Sequence, residues 1–234
     1  MSYKDEFQAG IAFPAGQTAL TAERVVYASV LAIAILVLTA VSIWPVQALA
    51  LNQEGGLFET MSAAALFVAG LAALWRYPGL SRLYIGLVCL LLAERELEAE
   101  IYSVGSLPYW ALNSLDTVLD MTLIRVALGV IVIGGVVRHG APSAWQAIKQ
   151  RAPFFAVFVL AGILAVVAQV LEEVSGIYSA DLTALMRVRF FVLEETLEMF
   201  FSIGILASVL IGWPKPASEE TLYDLNPKHR PDAR

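Results

Sequence analysis

Carboxylates recur in register inside the apolar stretches of this 234-residue chain, and their types and spacing fit cation chemistry. The run Leu115-Asp116-Thr117-Val118-Leu119-Asp120-Met121 returns as Leu193-Glu194-Glu195-Thr196-Leu197-Glu198-Met199. Likewise Glu96 with Ile101-Tyr102-Ser103 returns as Glu172 with Ile177-Tyr178-Ser179. Asp116 and Asp120 are four apart, as are Glu194 and Glu198, so on a helix each pair shares a face. Like charges placed so repel, and such a pair implies a bound cation, a nearby arginine or a shared proton. All-oxygen surroundings suit calcium, magnesium or manganese better than a soft metal. The candidates are Glu96, Asp120, Glu172 and Glu198, with Glu59, Asp116, Glu173, Glu194 and Glu195 around them.

The elements that position these acids must lie in lipid. With 59% hydrophobic residues, 15% charged and a mean hydropathy of +0.71, the chain carries more apolar surface than a soluble domain can bury. Six windows, near 25–44, 57–75, 82–98, 116–137, 153–172 and 190–212, are candidates to cross roughly 30 Å of hydrocarbon at about 1.5 Å per residue. Backbone amides in lipid must be satisfied within their own segment, so the sequence predicts an all-α membrane protein. The third and fourth helices and the fifth and sixth then form tandem hairpins, a parallel repeat. The first and second are a degenerate third copy, because Glu59-Thr60-Met61 opens the second helix as Glu195-Thr196 opens the sixth. Residues 1–24 are expected as a cytoplasmic segment, 25–213 as the transmembrane domain and 214–234 as a disordered cytoplasmic tail open to a protein partner. Lys4, Asp5, Glu6 and Glu23 leave no apolar core for a cleaved signal peptide.

Basic residues set the orientation. Lys4, Arg24, Arg76, Arg82, Arg138, Lys149, Arg151, Lys215, Lys228, Arg230 and Arg234 fall at the termini or in the second and fourth connections. By the positive-inside rule both termini are cytoplasmic, in a bacterial-type inner (plasma) membrane. The acids, including Glu54, Glu98, Glu100 and Asp181, then gather on the outer side. A negative vestibule attracts cations and repels nucleic acid. The segment 141–152, with Trp145, Lys149 and Arg151, is expected to lie flat on the inner leaflet.

Depth suggests a buried ion pair. Glu94 lies about 18 Å up a helix from Arg82, and Arg125 roughly 20 Å from Arg138, so the two reach similar depth on neighbouring helices. Arg95, Arg187 and Arg189 are the other candidates for intramembrane pairing, and a structural ion-pair network would account for all five without any activity. Acids opening a helix also favour its positive end, which is enough to explain Asp116 and Glu194.

Several chemistries are excluded. His139 falls in a connection and His229 in the tail, so no haem, zinc or histidine-bearing catalytic set is expected in the membrane region. Cys89 is alone, and no glycine-rich phosphate loop occurs. The Glu172-Glu173 pair resembles that of the membrane CAAX-protease-like family, but the Arg and His motifs that follow in that family have no counterpart here. No catalytic set is assigned. The sequence points to an outward acidic cluster that binds cations and supports transport or permeation; the alternatives are a non-catalytic membrane subunit or scaffold whose acids pair with arginines, and, third, a membrane hydrolase.

Overall fold

Proline and hydroxyl caps cut the apolar sequence into helices. The computed structural model describes residues 15–52, 55–76, 79, 82–97 and 99–212, with side chains from residue 28 onward. Residues 1–14 of the expected segment 1–24 and the tail 214–234, with Glu54 and Glu98, lie outside the described residues. Helix α1 (Ala15–Ile43) ends at Trp44, and Pro45 opens the short α2 (Pro45–Ala48), which a 3-10 turn (Leu49–Leu51) extends. A proline has no N–H to continue α1, and the axis turns by 106° there. Helices α3 (Leu57–Arg76) and α4 (Leu83–Arg95) follow. A 3-10 turn at Ala99–Ile101 then leads to α5 (Leu107–Leu119), capped by Ser106 Oγ, which accepts from Tyr109 N–H at 3.3 Å. The run α6 (Thr122–Gly135), a π-turn (Val136–Gly140) and α7 (Ala141–Lys149) is continuous. Pro153 opens α8 (Pro153–Ile177), and Thr183 Oγ1 caps α9 (Ala184–Ile211) by accepting from Met186 N–H at 3.3 Å.

Among the described residues no strand occurs, and three helical stretches are long and apolar enough to cross a membrane: Leu57–Arg76, Thr122–Lys149 and Pro153–Ile177. The bent pair Ala28–Ile43 and Pro45–Leu51 makes a fourth if counted as one span.

Small residues build the centre. Helix α3 packs on both α4 and α9, and α8 packs along α9. Ala69, Ala73, Cys89, Ala93 and Ala161 are buried with Leu66, Ile205 and Val209. Gly70 and Gly86 meet across α3 and α4: a Cβ on either would come within 3.2 Å of the other's carbonyl oxygen. Such close backbone approach is what small residues permit between helices. A second apolar cluster, Val41, Ala48, Phe58, Val192 and Met199, joins α1 and α2 to α9. By contrast the apolar window of Thr122–Lys149 has none of its residues buried. It meets α4 where Tyr84 fits against Gly135, just before the π-turn, and Gly140, its last residue.

The boundaries differ from the sequence expectation in three places. The expected fourth helix, 116–137, is broken: α5 ends with Asp120 as its C-cap, Met121 is extended, and α6 starts at Thr122. Arg125 closes the break: its Nε–H donates to the Leu119 carbonyl at 3.1 Å and its guanidinium pairs with Asp120, capping the end of α5. The expected third helix, 82–98, stops at Arg95 with Glu96 as its cap. Residues 141–149 continue the preceding helix instead of starting a separate surface segment, because the π-turn sits directly before Pro142 and spaces out the carbonyls that its ring would crowd. The two copies of the repeated motif consequently differ, Leu115–Met121 running to a helix end while Leu193–Met199 lies inside α9.

Candidate functional site

The acids fall into two groups. The first lies where α3, the end of α4 and α9 converge. On α9, Glu195, Glu198 and Ser202 are spaced three and four apart, and on α3, Glu59 and Ser62 are three apart, so each set shares a face. Ser62 and Ser202 are buried and their hydroxyls meet at 2.6 Å. Ser202 also donates to the Glu198 carbonyl at 2.9 Å, a back-bond that ties the hydroxyl pair to the α9 backbone. Glu96 sits beside the Ser62 hydroxyl, and the charges of Glu198, Arg95 and Glu59 bear on it. Glu195 lies in the field of Glu198, Glu194, Glu96 and Glu59. Arg95 and Glu172 act on Glu198, and Glu172 with Glu198 on Glu194. Glu59 is further fixed by accepting the Gly55 N–H at 2.8 Å, in a turn where Gly55 has φ +72°.

The second group lies between the end of α4 and α5. Glu94 is within hydrogen-bonding reach of Asp116, and Asp120 and Arg125 are close enough to act on it electrostatically. The depth-matched pairing of Glu94 with Arg125 is not the ion pair that forms. Arg125 pairs with Asp120, five residues before it, and both side chains are exposed. The repeat, which would bring Asp120 beside Glu198, puts it here instead because α5 ends at that residue.

The remaining expected residues are dispersed. Glu172 accepts from Gln169 on its own helix, and Glu173 is exposed beside it. Asp181 sits in the exposed turn between α8 and α9, its N–H bonded to the Tyr178 carbonyl at 2.9 Å. Arg187 and Arg95 are exposed. Arg189 is half-buried, with Nη1 at 3.7 Å from Met186 Sδ and its buried Nε unpartnered. Of the arginines expected to pair with these acids, Arg125 forms an ion pair with Asp120. No group of three or more His, Cys, Asp or Glu among them is placed to hold a metal ion directly.

Three side chains central to these groups escape a sequence reading. Ser62 and Ser202 look like the small residues common in packed membrane helices, and only their partnership across α3 and α9 gives them a polar role. Asn113 lines the same hollow as Glu94 and Asp116, less than one turn of α5 before Asp116, a spacing that gains meaning once α5 is seen as a separate helix. No protein-family model, no curated protein and no solved structure matches the chain.

Proposed function

We propose that this chain is a six-span helical protein of a bacterial-type inner membrane, with cytoplasmic termini and an outward cluster of carboxylates that takes up cations and supports their transport or permeation. The crossings would be α1, α3, α4, α6 with α7, α8 and α9. The observation that carries the functional reading is the convergence of Glu59, Glu96, Glu195 and Glu198 from three elements, with no ion pair to any of them among the described residues. Carboxylates held in one another's field at the edge of a bilayer must be relieved by something; Arg95 acts on Glu96 and Glu198 from a distance, and the remaining relief is a proton or a cation from solution. The acids do not close into a direct three-ligand set. A cation held there keeps much of its water, and such loose, multi-site holding is what passage requires.

Reconstituted vesicles provide the test. Labelled calcium, magnesium or manganese, or a proton flux read by an internal dye, should enter faster with the protein than without it. Glu195→Gln and Glu198→Gln, which remove charge at nearly constant volume, should each slow that entry. Uptake equal to that of empty vesicles for all four ions would refute the reading. It would favour the second reading, a non-catalytic membrane subunit, for which the Arg125 to Asp120 pair speaks, since its acid is spent on closing a helix end.

A further inference from the structure

The end of α4, the 3-10 turn at Ala99–Ile101 and helix α5 line a hollow of about 420 Å³ that opens to one side and has no lining residue from α3 or α9. Its size lies within the roughly 300 to 1,000 Å³ typical of small-molecule sites. Tyr109, Asn113 and Asp116 follow one another at spacings of four and three, so α5 turns one polar face to the cavity. Glu94, Arg95 and Glu100 line it from the other side, and Leu97 with Ala99 adds an apolar strip.

The lining selects a ligand class. The carboxylates of Glu94, Glu100 and Asp116 against the single guanidinium of Arg95 leave the cavity negative, which disfavours anions. A bare metal ion lacks its ligands, because no three acids, histidines or cysteines among the described residues are placed to hold one. A ligand that brings its own N–H donors fits better: an ammonium can donate to the neighbouring carboxyls of Glu94 and Asp116 and to the Asn113 side-chain oxygen. The Tyr109 ring offers such a cation an electron-rich face, and Leu97 and Ala99 offer an alkyl chain apolar contact. We propose that this cavity binds a small protonated alkyl amine, with its ammonium against the adjoining carboxyls of Glu94 and Asp116 and its chain along Leu97 and Ala99. The site does not depend on the carboxylate cluster of α3 and α9 carrying ions.

Calorimetric titration of the full-length protein in detergent with putrescine tests this. Saturable binding at or below the millimolar range is expected, weakening as salt rises. Asp116→Asn should weaken it at least about tenfold by removing a charge-assisted hydrogen bond. Glu100→Gln, at an exposed turn position where folding is not at stake, should weaken it by a smaller factor. Glu195→Gln, outside the cavity, should leave it unchanged. Absence of saturable binding in the millimolar range overturns the proposal, as does wild-type binding by both Asp116→Asn and Glu100→Gln. Loss of binding in Glu195→Gln would overturn it too, by placing the amine in the α3 and α9 cluster. Failed ion uptake in vesicles with intact putrescine binding would sink the transport reading and leave this one standing.

Discussion

Substituting Gly135 by alanine should destabilise the protein, whereas the same change at Gly129, on the same helix, should not. A Cβ at Gly135 would lie 2.5 Å from Tyr84 Cβ and 2.6 Å from its Cγ and Cδ1. These atoms are the root of the Tyr84 side chain, so no rotamer change relieves the clash and the α4 and α6 backbones must separate. Overpacking of this kind costs about 1 to 3 kcal/mol. Replacing a helical glycine by alanine gains roughly 0.5 to 1 kcal/mol in backbone terms, which offsets part of that cost. The net expectation for Gly135→Ala is a loss of about 1 kcal/mol, within a span of roughly 0 to 2.5. A Cβ at Gly129 meets nothing within 4 Å, so Gly129→Ala keeps the gain alone. In proteins of about this length one kcal/mol displaces Tm by roughly 2 to 4 °C, so thermal unfolding in detergent should move the two variants in opposite directions. Tyr84→Ala in the Gly135→Ala background should recover part of the loss, giving a non-zero coupling in the double-mutant cycle. A Tm for Gly135→Ala at or above that of Gly129→Ala would refute the packing of Tyr84 against this helix.

Further outcomes follow from the same geometry. Ser62→Ala and Ser202→Ala should each cost about 1 kcal/mol, since the hydroxyl left behind keeps the Glu198 carbonyl as its partner, and the double variant should lose less than the sum, as read by chemical or thermal unfolding. Arg125→Gln should cost little, about 0 to 1 kcal/mol, because its pair with Asp120 is exposed; a loss of several kcal/mol would mean that the pair is covered in the membrane. Reporter fusions after Arg82 and after Arg151 should register as cytoplasmic and fusions near Ser106 and Ser179 as external, and one reversed loop would overturn the orientation on which the outward cluster rests.

Local chemistry was legible in the chain, and juxtaposition was not. Pro153 marks the start of α8 just where the hydrophobic window begins, and the helix-forming acidic frame 193–199 does sit inside one long helix. The end of α5 was illegible because a side chain loops back over six residues to meet it: nothing in the apolar periodicity of 116–137 says that Arg125 will reach the Leu119 carbonyl. Gly140 followed by Pro142 reads as a helix stop, yet a π-turn carries the helix through, since Tyr84 on another element fills the space that the two glycines leave. The carboxylates of α9 were visible as a face, but that Glu59 and Glu96 would share their field depends on α3 packing against both α4 and α9, and spacing along one helix cannot encode its neighbours. The repeat misled at Asp120 for a related reason, because equal sequence does not give equal structure when one copy is interrupted by a cap.

The bare span Thr122–Lys149 bears on how such a chain is assembled. A segment apolar enough to cross a membrane, whose apolar window hides none of its residues against the rest of the protein, can form as an independent helix before it docks. Helix α3 with α4, and α8 with α9, can then close on each other while it waits at the periphery. Over evolutionary time its oily surface is free to exchange one aliphatic residue for another. The small hollow that receives Tyr84 is not: there the span carries its docking address, and drift at Gly135 or Gly140 would cast the helix loose from its own protein.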